Sequence, residues 1–226
     1  MRLGSLAPLM FLVTAGPALG EVRVVTESYP PFNMELNGVV VGVATDLVRA
    51  MFEEAGVPHT LDIMPWQRAY QSALGDKDTC VYSTTETPER QPLFEWIGPL
   101  VTNNWVLFAR DDRDFSLSRL EDARKLSIGG YQGDATALFL ERQGYNVDVA
   151  MRDDLNPAKL VNGRIDLWAT GSELGFYLAQ QQGIHNIKPV LTFKKVDMSL
   201  ACNRQTDPAV LAALRQALKE IRKVRK

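Results

Sequence analysis

Short apolar runs that read as strands alternate with amphipathic stretches that read as helices, and the whole series occurs twice along the chain. The first pass runs as a strand at 22–26, a helix from about Thr45, a strand at 59–64, a helix at 66–74 and a strand at 79–83. Leu47, Val48, Met51, Phe52 and Ala55 fall on one face of its first helix, and Gly56 supplies a stop. The second pass places strands at 126–130, 146–150, 165–170 and near 187–191. Helices at 135–143, 158–162 and about 172–182 lie between them, and Gly144 ends the first of these. A β-α-β order builds a mostly parallel sheet with helices on its faces, because parallel neighbours need a long crossover. The fold class is therefore α/β.

An apolar connector at 105–109 lies between the two passes. A returning strand at 198–202 leads into a closing helix. Asp207 is placed to cap that helix, Pro208 fits its first position, and Leu211, Leu214, Leu218 and Ile221 share a face. The chain reads as two lobes, residues 21–103 plus 198–226 and residues 104–197, joined by crossing segments near 103 and 197.

Residues 1–20 read as an address. Arg2 precedes the apolar run 6–13, and Ala18-Leu19-Gly20 offers small residues where a signal peptidase reads, so cleavage is expected before Glu21 and a periplasmic location follows. No cysteine stands at that point, so lipid tethering is not expected. The formal net charge is −2, without long charge runs, which gives nucleic acid no electrostatic footprint. His59 and His185 are far apart, so no metal site or cofactor is expected. The basic residues Lys219, Arg222, Lys223, Arg225 and Lys226 read as a solvated helix C-terminus. Two cysteines, Cys80 and Cys202, are free to pair in an oxidising compartment.

Open parallel sheets bind ligands beyond the carboxyl ends of their strands. That rule selects residues 27–32, 65–68, 82–90 and 131–136. In and around these segments the sequence resembles a known family. Tyr29-Pro30-Pro31-Phe32 followed by Gly42-Val43-Ala44-Thr45-Asp46-Leu47 is similar to the opening of the family 3 periplasmic solute-binding proteins, the polar amino acid receptors of ABC importers. Thr85-Glu86-Thr87-Pro88-Glu89-Arg90, with Phe94 and Pro99-Leu100, resembles their internal signature, and Gly163-Arg164-Ile165-Asp166 fits as well. Pro65-Trp66-Gln67-Arg68-Ala69 resembles a branch whose ligands are mostly unassigned. The resemblance implies a type II periplasmic binding protein: two Rossmann-like lobes with a hinge and an interlobe cleft.

By the same resemblance Arg90 grips a ligand carboxylate, a role that suits a permanently charged planar fork. The plain alternative is a surface arginine paired to Glu86 or Glu89. Ser83 and Thr85 match hydrogen-bonding positions, while Tyr29 and Trp66 match walls of the site. Phe32 reads as core, and Arg68 as a solvated residue at a helix start. The family topology also sets Cys202 beside Cys80, which implies a disulfide.

Two departures stand against the family pattern. Amino acid receptors hold the ligand ammonium with an aspartate where this chain has Gly171, and their Gly-Thr-Thr loop is replaced by Gly133-Asp134-Ala135. Asp134 reads as a helix N-cap and as a candidate partner for a cation; Glu27, near the first loop, is another candidate cation partner. The carboxylate clamp is kept and the amine clamp is not, so a simple α-amino acid is a poorer expectation than for a typical member.

The leading expectation is a monomeric, non-catalytic receptor that delivers a small carboxylate-bearing solute to an ABC permease. A sensory or interaction module is one alternative. A dehydratase or hydrolase is another, but its only acid/base candidates, Glu27, Asp134 and Glu173, show no nucleophile–base partner at motif level.

Overall fold

A computed structural model describes residues 19–224 of the chain, so the expected leader, apart from Leu19 and Gly20, and the tail residues Arg225 and Lys226 lie outside the described residues. The elements in order are β1 (Val22–Thr26), β2 (Met34–Leu36), β3 (Val39–Val41), α1 (Val43–Glu54), β4 (His59–Ile63), α2 (Trp66–Gly75) and β5 (Thr79–Thr85). There follow β6 (Phe94–Arg110), β7 (Ser127–Tyr131), α3 (Ala135–Arg142), β8 (Asn146–Ala150), α4 (Asn156–Val161), β9 (Leu167–Gly171), α5 (Ser172–Gln181), β10 (Ile187–Asn203) and α6 (Pro208–Val224). The α/β class and most element positions match the sequence pattern to within a few residues.

Eight strands form one sheet in the order β4-β1-β5-β10-β6-β9-β7-β8. Strands β4, β1 and β5 are mutually parallel, and so are β9, β7 and β8. Between these two triads run β6 and β10, 17 residues each, paired antiparallel from Ile187↔Arg110 to Asn203↔Phe94. The sequence suggested a short connector at 105–109 and two separate strands at 187–191 and 198–202. The structure makes each of these stretches part of one long strand. Polar residues at the crossing (Asn103 and Asn104 on β6, Lys194, Lys195 and Asp197 on β10) break the apolar pattern, but backbone pairing continues through them with three register shifts. The expected crossing points are thus the paired middles of two strands, where Asn103 faces Val196 and Thr102 faces Asp197.

A second difference is the small hairpin β2–β3, read from sequence only as turn-rich. Asn37 and Gly38 both adopt positive φ, 53° and 78°, the geometry that a tight two-residue hairpin turn requires.

Apolar residues collect on either side of the crossing strands. Val24, Val48, Met51, Phe52, Tyr82, Leu200 and Leu214 pack between α1, α6 and the first triad. Leu107, Ile128, Leu140 and Leu167 pack in the second triad beneath α3. Phe32 belongs to the first of these cores, as expected from sequence. Asp207 caps α6 by accepting from the Ala209 amide at 2.8 Å.

Cys80 and Cys202 are directly opposite in the β5–β10 ladder and are disulfide-bonded, which cross-links positions 122 residues apart. A cross-link closing so long a loop removes much of the freedom of the unfolded chain. Removal of the bond in the double variant Cys80→Ala/Cys202→Ala is expected to lower the free energy of unfolding by about 2–5 kcal/mol. Urea midpoints of the two proteins check this, and thiol titration of the unreduced, denatured wild-type chain should find no free thiol.

Candidate functional site

The carboxyl ends of β1 and β5 and the loop before α3 converge where β6 and β10 cross. Each parallel strand ends there because its next residues leave the ladder to start a turn or a helix. Thr26, the last residue of β1, donates to the Tyr82 carbonyl at 3.2 Å. Asn33 then fastens the turn that follows: its amide donates to Thr26 Oγ1 at 2.9 Å and to the Glu27 carbonyl at 2.6 Å. Its Oδ1 accepts from the Ser83 hydroxyl at 2.5 Å. Ser83 itself has φ 56°, an uncommon conformation for a residue with a side chain.

Arg90 is 6% exposed, so it is not the surface arginine of the plain alternative. Glu89, its neighbour in sequence, pairs instead with Arg142 at 3.2 Å. The Arg90 guanidinium lies 5.3 Å from the Trp66 ring centroid and 5.2 Å from that of Tyr70. Its Nη2 donates to the Gly133 carbonyl at 2.9 Å and its Nη1 to the Thr85 carbonyl at 3.4 Å. Trp66 Nε1 donates to the same Gly133 oxygen at 2.9 Å. One carbonyl of the loop before α3 therefore holds both an arginine and a tryptophan of the first triad.

Glu27, Tyr29, Trp66, Ser83, Thr85, Arg90 and Asp134, the seven residues singled out from sequence, all border one central cavity. Its volume is about 10 Å³, room for roughly one water. The same wall includes Asn103, Trp105, Tyr131, Ala135 and Met198, to which the sequence assigned no role. Tyr131 lay inside a segment selected by the strand-end rule. Asn103 had a weaker signal, a polar residue inside an otherwise apolar run. Arg68 is exposed and takes no part in the cavity. A larger groove of about 710 Å³ meets the cavity at Thr85 and Trp105, with Phe139 on its wall and the Lys194 ammonium 4.4 Å from that ring.

The acids of the site are not free carboxylates. Tyr131 donates to Glu27 Oε1 at 2.8 Å across 104 positions of sequence. Burial pushes Glu27 up to about 8 in spite of that bond. Asp134 caps α3, accepting from the amides of Thr136 at 2.8 Å and Ala137 at 3.2 Å, as its sequence position suggested. Burial raises its pKa too, opposed by Arg90 and the capping bonds. Behind them Asp153 accepts from Asn156, Trp168 and Thr170 and is raised to about 7, again chiefly by burial. The site thus sets one guanidinium among three acids whose pKa values burial raises.

At Gly171, where the family resemblance implied an aspartate, Tyr29 and Asn103 fill the space. A Cβ on Gly171 would overlap the Tyr29 hydroxyl and come within 2.8 Å of Asn103 Oδ1. Only glycine leaves room for this pair. Among the described residues, no group of three or more His, Cys, Asp or Glu is placed to hold a metal ion.

The family model for bacterial extracellular solute-binding proteins, family 3, matches residues 22–226. No curated protein sequence matches the chain. Among solved structures it is similar to a histidine kinase sensor domain with similarity to periplasmic binding proteins, at 20% identity and TM-score 0.82, over 90% of this chain and 91% of that one. It is similar to an ancestral arginine-binding protein bound to arginine, at 24% identity and TM-score 0.77, over 90% and 93%. A third likeness is the arginine-, lysine-, histidine-binding protein ArtJ from Geobacillus stearothermophilus, at 17% identity and TM-score 0.77, over 91% and 90%.

Two expectations follow. Gly171→Ala should displace the Tyr29–Asn103 pair and destabilise the fold by about 1–3 kcal/mol, the usual range for overpacking, read as a fall in melting temperature. Glu27 keeps its proton in the folded state to about pH 8, whereas an ordinary glutamate loses it near 4.5. Its contribution is therefore fully present below pH 4.5 and falls away as pH rises toward 8, where both states are ionised. Asp153 adds a contribution of the same sign that ends near pH 7. Glu27→Gln should flatten the decline in stability between pH 5 and 8, measured by denaturant unfolding across that range.

Proposed function

Since the chain belongs to the family 3 bacterial extracellular solute-binding proteins, we propose that it is a periplasmic receptor that captures a small solute through an anionic group held by Arg90. Residues 21–103 with 198–226 form one lobe and residues 104–197 the other. The paired middles of β6 and β10 are the hinge. The observation that carries this reading is the environment of Arg90. A guanidinium taken out of water is costly unless it is satisfied, and here its two hydrogen bonds go to main-chain carbonyls rather than to a carboxylate. A ligand carboxylate competes for the same Nη2 that binds Gly133, and it brings the full negative charge that a carbonyl lacks.

Closure follows from where the contacts originate. Arg90, Trp66, Thr85 and Tyr29 stand on the first lobe, whereas Tyr131, Asp134 and Ala135 stand on the second. A solute touching both sets stabilises the closed arrangement by the contacts that only this arrangement provides. The closed shape is then read by a partner. We take that partner to be an ABC permease. The likeness to a histidine kinase sensor domain favours sensing as a second outlet for the same binding event.

We read the site as non-catalytic. Ser83 is held by Asn33, Glu27 is held by Tyr131 and Asp134 is held by the amides of α3, so no nucleophile stands beside a free base.

Thermal shifts across carboxylates, keto acids, amino acids and short peptides should identify solutes that stabilise the wild-type chain. A ligand at 100 times its Kd adds about 2.7 kcal/mol. Arg90→Ala should weaken the best of them by roughly 30-fold or more, on the order of 2 kcal/mol upward. Unchanged affinity in that variant would refute the assignment of the anchor.

A further inference from the structure

We propose that Asn103 is the second anchor of this site and that it selects solutes carrying an uncharged N–H donor, such as a carboxamide or an acylated amine, opposite the anionic end. This inference rests on the reading of Arg90 as the anion grip.

Asn103 sits in the middle of β6, where the two triads meet, and is 2% exposed. It borders the same cavity as Arg90. Its Nδ2 donates to the Tyr29 hydroxyl at 2.9 Å, which sets the amide's orientation and leaves Oδ1 on the other side. That oxygen is buried and has no hydrogen-bond partner. Buried polar atoms are nearly always satisfied, because an unmade hydrogen bond in a dry site costs about as much as desolvating the group. An acceptor on the cavity wall, held in place by Tyr29 and met by no protein donor, is suited to receive a donor from the solute.

The surroundings decide the charge of that donor. A buried ammonium needs a carboxylate or an open aromatic face to offset its lost hydration. Asp134 is engaged with the first turn of α3, and Glu27 takes the Tyr131 hydroxyl and tends to stay protonated. The Trp66 and Tyr70 rings already flank the Arg90 guanidinium. Against the neutral Asn103 oxygen, an uncharged N–H forms a good hydrogen bond, whereas an ammonium finds no formal charge on that group to offset its own.

The test is calorimetric titration of matched probes: glycine against N-acetylglycine, and 4-aminobutyrate against succinamate. Wild-type protein should bind the amide of each pair at least about tenfold more tightly than the amine. Asn103→Leu should lose about tenfold for the amides and little for the amines. Asn103→Asp, which keeps the side-chain shape and turns the Tyr29 hydroxyl into a donor, should shift the preference toward the amines. It also carries the test if the leucine variant does not fold, as judged by circular dichroism. Amines bound by the wild type as tightly as amides, or amide affinity unchanged in Asn103→Leu, would overturn the inference. Arg90→Ala keeps the two readings apart. Loss of binding there with no effect at Asn103 removes only the second anchor, while unchanged binding in Arg90→Ala removes the anion grip. If no probe binds the wild-type protein, both readings fall.

Discussion

The antiparallel pairing of β6 with β10 determines where everything else in this molecule can be. Each strand is 17 residues long, and each lies in the middle of the sheet with a parallel triad beyond it. The pairing fixes the triads side by side, so their carboxyl ends and the loop before α3 open toward the same place. Main-chain hydrogen bonds are indifferent to side-chain polarity, so the ladder can run through Asn103, Lys194, Lys195 and Asp197 without losing its continuity. One of these side chains, Asn103, is thereby buried at the centre of the molecule, while Lys194, Lys195 and Asp197 are exposed. The Cys80–Cys202 bond ties β10 to β5 beside this crossing and adds a covalent constraint to the same arrangement.

The electrostatics of the cavity follow from that geometry. Bringing Glu27, Asp134 and Asp153 into dry surroundings near one another favours their neutral forms, and only Arg90 is a permanent charge on the cavity wall. Burial disfavours charge, and each of the three carboxyls is raised by it. The cavity wall thus presents one guanidinium fork beside two acids whose pKa values burial raises, although the wall contains more acids than bases. Counting charges in the sequence would suggest the opposite preference.

Much of the fold was legible because its signals are local. Helix faces such as Leu47, Val48, Met51 and Phe52, and buried strands such as Val22, Val24 and Val25, are periodicities within a dozen residues. All seven residues proposed for the site reached the cavity because strand ends and motif positions are marked in the local chain. The continuity of the long strands was not legible, since their polar middles break the very pattern by which strands are recognised. Asn33, Asn103 and Tyr131 escaped for another reason. Their roles depend on partners 50, 74 and 104 positions away, and nothing in their own neighbourhoods names those partners.

The sequence by itself determined the α/β class, the order of elements, the family and the pairing candidates Cys80 and Cys202. These depend on residue type and short-range spacing, which a linear chain carries explicitly. Only the tertiary structure decided that Arg90 faces a main-chain carbonyl rather than Glu86 or Glu89, that Glu27 keeps its proton, and that Gly171 makes room for Tyr29 and Asn103. Those outcomes depend on desolvation and on contacts between distant segments, and both come into being only when the two triads are brought together across β6 and β10.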